Sequence, residues 1–273
     1  MLVRLPAGIL AGMHDSIADS EPRDGGFRNR GRELTRMEAF VDAAFAFAVT
    51  LLIISVGDVP RTADDLVLAF KGVPAFAASF ATMAMFWYSH SRWSRRFGLD
   101  DLPSVLLSML LVFLVLVYVF PLRAVFGSMF SWMTQGWLPT TYAVSGRSDL
   151  RVMFVLYGIC IFTMAATITL LYWRAWRLRD TLGLDAEERH ATCAYLAANA
   201  FLALVAATSL IAALLLPGSG SMWVYAIPGT LYCLLAFTGV FANRMGDRWF
   251  YHSERLRQPI ADVERASGSR IPS

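Results

Sequence analysis

The residues of this chain with the clearest potential for chemistry lie where a long apolar segment begins. Residues 36–56 read RMEAFVDAAFAFAVTLLIISV, so an arginine and two acids enter an otherwise apolar run. Arg36 and Glu38 are at its start, where they stay in contact with water and an acid suits the positive end of a helix dipole. Asp42 is about one turn deeper, where burying its charge in a membrane costs roughly 2.5–3.5 kcal/mol. We therefore expect Asp42 to face protein or water and to have a partner.

Read as a helix with about 100° per residue, this segment has two different faces. Phe47, Thr50, Leu51 and Ile54 form one stripe, at spacings of three, four and seven. Asp42 points about 140° away from Phe47, on a face of small and β-branched residues. Ordinary packing explains a stripe of this kind in most membrane helices. The ordinary interpretation of Thr50 is a hydroxyl that donates a hydrogen bond back to its own helix. The ordinary interpretation of Asp42 is a structural ion pair.

No cluster of metal-ligating residues accompanies this segment in the sequence. Cys160, Cys193 and Cys233 lie in apolar runs and form neither a CxxC pair nor a Cys/His group. We therefore expect no disulfide framework, metal site or cofactor. His90 lies near three arginines, and we interpret it as a structural residue at the membrane interface.

The composition points to a membrane protein. Of the 273 residues, 56% are hydrophobic and only 16% are charged, and the mean hydropathy is +0.50. A typical soluble domain is ~25% charged, so a soluble enzyme is disfavoured. The net charge of +3 is small. No basic block interleaved with aromatic residues is present, and nucleic acid is therefore not an expected partner.

Six apolar runs approach the length of about 20 residues that spans a bilayer. They are Glu38–Val56, about Val73–Tyr88, Leu102–Phe120, Val152–Tyr172, Thr192–Leu216 and Met222–Ala242. This pattern predicts an all-α, polytopic membrane protein with six transmembrane helices. The predicted organisation is a flexible cytoplasmic segment (1–35), a six-helix transmembrane domain (36–242) and a cytoplasmic tail (243–273).

The distribution of arginines predicts the orientation in the cell membrane. The heavier basic segments follow runs two, four and six, whereas Pro217–Ser221 after run five has no Lys or Arg. Since cytoplasmic loops carry the excess of basic residues, both termini are predicted to be cytoplasmic.

Two motifs carry a resemblance to a known family. Residues 36–52, RMEAFVDAAFAFAVTLL, are similar to an arginine, then Phe-Ser-Asp, then an apolar run ending in Thr-Leu-Leu; residues 86–90, FWYSH, match a Trp-x-x-His pattern. Both are typical of the transmembrane protein 175 family of potassium channels. The resemblance covers about residues 36–130 well, and the rest of the chain only as further apolar helices.

The resemblance implies a homotetramer in the lipid bilayer whose central pore is lined by the first helix of each subunit, with K⁺ as the permeant ion. Carried over by position, the constriction falls on Phe47 and a threonine layer on Thr50, with Ile54 one turn further out. Leu51 is the fourth expected pore-lining residue. The family's Phe-Ser-Asp motif packs against the second and third helices. The corresponding structural network is Arg36, Phe40, Val41, Asp42, Trp87 and His90.

The sequence departs from the family pattern at two informative positions. Val41 replaces the motif serine, and Phe47 stands where isoleucine or leucine is usual. Four phenyl rings around one axis would seal a pore more tightly than branched aliphatic side chains. No Thr-Val-Gly-Tyr-Gly filter occurs in the sequence, which agrees with a pore of a different kind.

The residues also leave other functions open. One is a proton-permeable channel or proton-coupled transporter in which Asp42 relays protons. A second is a membrane-embedded enzyme that uses Asp42 and His90, although no second intramembrane carboxylate supports it. A third is a non-conducting relative, because of Phe47. The potassium channel is the preferred hypothesis, and it needs no covalent chemistry.

Overall fold

The structure is a computed structural model, and it describes most of the chain between residues 23 and 251. The described residues are 23–24, 27–28, 30–31, 33–55, 59–140, 142, 144, 146–216 and 222–251. The loop Pro217–Ser221, which entered the topology prediction, lies outside them. So does the part of the predicted tail beyond residue 251.

The described residues are almost entirely helical. A short antiparallel hairpin pairs β1 (Arg23–Asp24) with β2 (Phe27–Arg28). The helices that follow are α1 (Arg36–Ile54), α2 (Ala63–Lys71), α3 (Val73–Phe97), α4 (Leu102–Met133), α5 (Arg147–Arg177), α6 (Ala186–Leu214) and α7 (Met222–Thr230). After α7 the chain continues through the 3₁₀ segment Leu231–Phe237 into helical residues 238–251.

Within the described part of the chain, six helical stretches are long and apolar enough to cross a membrane. The predicted all-α class with six spans is thereby confirmed. Most of the observed spans are longer than the predicted apolar runs, because the helices continue through the polar residues that end the runs. Helix α4 extends well past Phe120 and contains Pro121, which membrane helices accommodate by local adjustment.

Side-chain caps explain why two of the helices begin where they do. At α1, Thr35 Oγ1 accepts a hydrogen bond from the Glu38 amide (3.1 Å), and the Glu38 carboxylate accepts one from the Thr35 amide (3.2 Å). Asp185 and Glu188 form the same reciprocal pair at α6. Such a capping box satisfies two backbone donors that the first turn leaves open. Glu38 is thus used to start α1.

The spanning helices pack into one bundle around a continuous apolar core. Helix α1 packs against α3 and α4, and the most extensive contact joins α5 to α6. At that contact a Cβ on Gly158 would lie 2.9 Å from the Leu210 Cβ. Glycine is therefore required there for the close approach of the two helices.

Near two expected boundaries the described residues are more ordered than their polar composition suggested. Residues 1–35 were expected to be flexible, but Phe27 of the hairpin is buried against Phe97 with the ring centroids 6.0 Å apart. The cytoplasmic tail was expected to begin at residue 243, but helical structure continues to Tyr251. In both cases polar composition suggested a tail, while described residues such as Phe27 and Asp247 contact distant helices.

Candidate functional site

Helix α1 has a covered face and an open face. Val41, Ala48 and Leu52 are fully buried on the covered face, which packs against α3 and α4. On the opposite side Phe47 is 56% exposed and Ile54 67%. Thr50 is also exposed, and Leu51 is partly buried at the edge. The structure therefore brings Phe47, Thr50 and Ile54 together on a surface that no described residue covers.

The expected division of α1 into two faces needs a correction. We expected Asp42 to share a packing face with small residues opposite Phe47. Instead Ala46 is exposed like Asp42, and the packing face carries Val41 and Phe45. The larger apolar residues bury more area, and therefore they determine which side of the helix turns to the core. Asp42 lies at the border of the open face.

The partner of Asp42 is an indole rather than a charged side chain. Trp87 Nε1 donates a hydrogen bond to Asp42 Oδ1 at 2.8 Å, which connects α1 with α3. The expected network placed Arg36, Trp87 and His90 near Asp42, and of these three Trp87 makes the hydrogen bond. Arg36 is exposed and, among the described residues, makes no ion pair. A hydrogen bond with an ionised acceptor is stronger than a neutral one, so the indole satisfies the acid without a counter-charge.

His90 connects α3 with α4. Its Nε2 shares a hydrogen bond of 2.9 Å with Ser108 Oγ, and both residues are buried. Ser108 was not among the predicted site residues, although Ser104 and Ser108 lie four residues apart in the apolar run of α4 and mark one polar face. Of the remaining network residues, Val41 is buried in the core and Phe40 is half-exposed.

The Thr50 hydroxyl is oriented by its own helix. Its Oγ1 donates to the Ala46 carbonyl at 3.1 Å. Because a hydroxyl oxygen also has two acceptor lone pairs, this bond uses the proton and leaves acceptor capacity on the exposed side. The arrangement is therefore suited to contact a cation. No group of three or more His, Cys, Asp or Glu residues placed to hold a metal ion occurs in the described residues.

Comparisons with known proteins agree with this architecture. The family model described as endosomal/lysosomal potassium channel TMEM175 matches residues 36–121. A protein of Marivirga tractuosa named "Potassium channel" is 33% identical in an alignment of 218 positions that covers 76% of this chain and 85% of that protein.

A solved structure is also similar. It is the crystal structure of a variant of the potassium channel MtTMEM175 in complex with a nanobody–MBP fusion protein. The TM-score is 0.72 at 29% identity, over 83% of this chain and 99% of that one.

The matched family model begins at Arg36, where the motif that carried the resemblance begins. The matched proteins are channels, which are not enzymes, and the enzyme hypothesis for Asp42 and His90 thus has no support from them. Sequence motif, six-span fold and relatives lead to the same conclusion: the chain belongs to the TMEM175 family of potassium channels.

Proposed function

We propose that this protein is a potassium-permeable cation channel, in which four copies surround a central pore lined by α1. The observation that carries the proposal is the open face of α1, where Phe47, Thr50 and Ile54 lie uncovered while the opposite face is fully packed. A ring of subunits around one axis would cover this face without altering the fold of each subunit.

Small residues support a close approach of neighbouring first helices. Ala39, Ala43 and Ala46 are exposed at spacings of four and three, beside the larger Phe47. Small side chains at such spacings let membrane helices approach each other closely. In the proposed assembly they would bring the Phe47 rings toward the axis.

The proposed pore has a hydrophobic constriction. Four Phe47 rings would exclude water and offer no ligand to a dehydrated ion, so closure would come from dewetting and steric blockage. Thr50 lies one turn further along the helix. Its hydroxyl donates a hydrogen bond to the Ala46 carbonyl, and the lone pairs of its oxygen remain available to a cation. A layer of four such oxygens would replace part of the hydration shell of K⁺.

We further propose that the protein spans the cell membrane with both termini in the cytoplasm. Arg92, Arg95 and Arg96 lie at the end of α3, and Arg174 and Arg177 lie at the end of α5. Because α3 ends the second span and α5 is the fourth span, the ends of these two helices lie on the same side of the membrane. An excess of arginine is typical of the cytoplasmic side. K⁺ and the lipid bilayer are then the partners of the assembled channel.

The decisive experiment combines assembly and transport in one preparation. The purified protein is analysed by native mass spectrometry and then reconstituted into liposomes loaded with potassium, with protein-free liposomes as the control. We expect four copies per particle and a potassium flux above the control, with separate sodium and proton measurements reporting the preference. A stable monomer that conducts would contradict the pore model. The absence of flux from both wild type and Phe47→Ala would contradict the channel function.

A further inference from the structure

A basic cavity lies between the end of α3 and the N-terminal hairpin. Its volume is about 150 Å³, roughly ten times the minimum that one water molecule requires. Four arginines line it together with aromatic rings, and none of the lining residues is acidic. The arginines are Arg28, Arg92, Arg95 and Arg96, and the aromatic residues include Phe27 and Trp87.

Arg96 is buried at this cavity and has no ion pair with an acid among the described residues. The residue is only 4% exposed. Its guanidinium lies over the rings of Phe27 and Tyr195, 4.1 and 4.5 Å from their centroids. Its Nη2 contacts the Tyr195 hydroxyl at 3.4 Å, whereas the buried Nη1 has no hydrogen-bond partner among the described atoms. A buried arginine donor without an acceptor is costly, and an anionic oxygen at this position would supply the acceptor.

The neighbouring arginines leave further donors available. Arg92 is oriented by a hydrogen bond of 2.8 Å to the Tyr195 hydroxyl. Arg95 is exposed, and its guanidinium makes no hydrogen bond or ion pair within the described part of the chain. Arg28 adds a buried Nε without a hydrogen-bond partner.

The acids closest to the cavity are already engaged. The Glu188 carboxylate accepts hydrogen bonds from Nη1 and Nη2 of Arg30 at 2.8 and 2.7 Å. Glu188 also belongs to the capping box of α6. Asp185 pairs with Arg28 at 3.6 Å, and Asp42 accepts from Trp87. The positive charge of Arg92, Arg95 and Arg96 is thus not balanced by a carboxylate of the described residues.

We propose that this cavity binds a phosphate group. The planar guanidinium of arginine donates paired, charge-assisted hydrogen bonds to two oxygens of a phosphate, and the aromatic rings keep the guanidinium of Arg96 in place. A basic pocket between helices at the cytoplasmic surface is suited to the headgroup of an anionic lipid. Since Phe27 and Arg28 belong to the hairpin, the bound phosphate would also fasten the hairpin to the end of α3.

The phosphate can come from a lipid headgroup or from free phosphate, and the experiment separates the two. The full chain in nanodiscs of phosphatidylcholine, with or without phosphatidic acid, is examined by native mass spectrometry for bound lipid. In a parallel arm, inorganic phosphate is added to the detergent-solubilised protein and the melting temperature is measured, which rises when a ligand binds the native state. Binding of phosphatidic acid alone identifies a lipid site, and a melting shift with inorganic phosphate identifies a free-phosphate site. Either result supports the proposal.

Matched variants test whether the binding belongs to this cavity. Arg95→Gln changes an exposed residue and leaves the fold intact, while Arg96→Gln removes the buried donor. Each is expected to weaken binding about tenfold, the effect of losing one charge-assisted hydrogen bond. Arg177→Gln is the control, since Arg177 is an exposed arginine beside Trp173 at the end of α5 on the same side of the bundle. Failure of both ligands to bind, or an equal loss in Arg177→Gln, would overturn the proposal. Because binding is measured without ion flux, the outcome is independent of the channel function.

Discussion

The indole Nε1 of Trp87 donates a hydrogen bond to the carboxylate of Asp42 at 2.8 Å, and this bond connects α3 with α1 five residues before Phe47. It lies at the border between the covered and the open face of α1. The bond therefore opposes rotation of α1 about its own axis, and rotation is what would change the side chains presented on the open face.

Replacing Asp42 tests this structural role. Asp42→Ala removes the acceptor and is expected to lower the free energy of unfolding by about 1.5–3 kcal/mol, the usual range for a hydrogen bond to a charged group. The yield of assembled protein in size-exclusion chromatography should fall with it. Asp42→Asn keeps an acceptor oxygen and should restore part of the loss. An Asp42→Ala protein of normal stability with altered ion preference would instead place the acid in the ion pathway.

The sequence could predict the six spans and the Phe47, Thr50 and Ile54 stripe because both depend on local information. Apolar runs of sufficient length identify spans, and the residue angle alone groups side chains on one helix face. Which of the faces turns to the core depends on the neighbouring helices. For that reason Val41 and Phe45, rather than the face with Asp42, became the packing side.

Polar contacts between residues far apart in the chain could not be predicted from the sequence. Arg30 and Glu188 are separated by 158 residues, and no periodicity connects them, yet they form a bidentate pair with Glu188 fully buried. The resemblance placed Arg36, Trp87 and His90 in one network with Asp42, but the residue spacing could not choose among these three for the hydrogen bond to its carboxylate. Partner choice follows from how α1 and α3 pack, which only the three-dimensional structure supplies.

The ion pair between Asp101 and Arg174 should make stability depend on pH. Asp101 Oδ2 accepts from Arg174 Nε and Nη2 at 3.0 and 2.8 Å, and its Oδ1 accepts from Ser104 at 2.7 Å. Partial burial raises the pKa of Asp101, but the Ser104 and Arg174 hydrogen bonds and the Arg174 charge outweigh it, and the net pKa lies below 3.8.

Because the folded-state pKa is lowered, the pair contributes stability above the unfolded-state pKa and loses it as pH falls through the folded value. Asp101→Asn should cost up to about 1 kcal/mol at neutral pH, as for other partly exposed pairs. This difference in thermal stability should shrink below about pH 4. In a double-mutant cycle Arg174→Gln should add little to Asp101→Asn. Full additivity, or a difference independent of pH, would count against the pair.

Cysteine labelling tests the proposed orientation. In a Cys233→Ala background, a membrane-impermeant maleimide added to intact cells should label Val59→Cys in the connection after α1. It should not label Asp100→Cys between α3 and α4. Both positions are exposed, so accessibility differs only by the side of the membrane. The reverse pattern would show that the arginine-rich ends face outward.

Thr50 is the position at which ion preference should change without loss of flux. Thr50→Val keeps the shape of the side chain and removes the oxygen that would contact K⁺. The ratio of potassium to sodium flux in liposomes should therefore fall, while total cation flux persists. Thr50→Ser restores the hydroxyl and should restore most of the ratio. An unchanged ratio in Thr50→Val would remove Thr50 from the selectivity-determining layer.

Phe47 is the position at which total flux should change most. If α1 lines the pore, four phenyl rings near the axis exclude water and hold the resting channel closed or weakly conducting. Phe47→Ala removes this barrier, and we expect basal potassium flux in liposomes to rise about tenfold or more, since a barrier change of 1.4 kcal/mol already gives that factor. The matched control is Phe113→Ala in α4, where a phenylalanine of similar exposure, 61% against 56%, lies on another helix. It should leave the flux unchanged. If Phe47→Ala assembles normally and conducts like the wild type, the constriction lies elsewhere on α1, and Ile54→Ala becomes the next variant to measure.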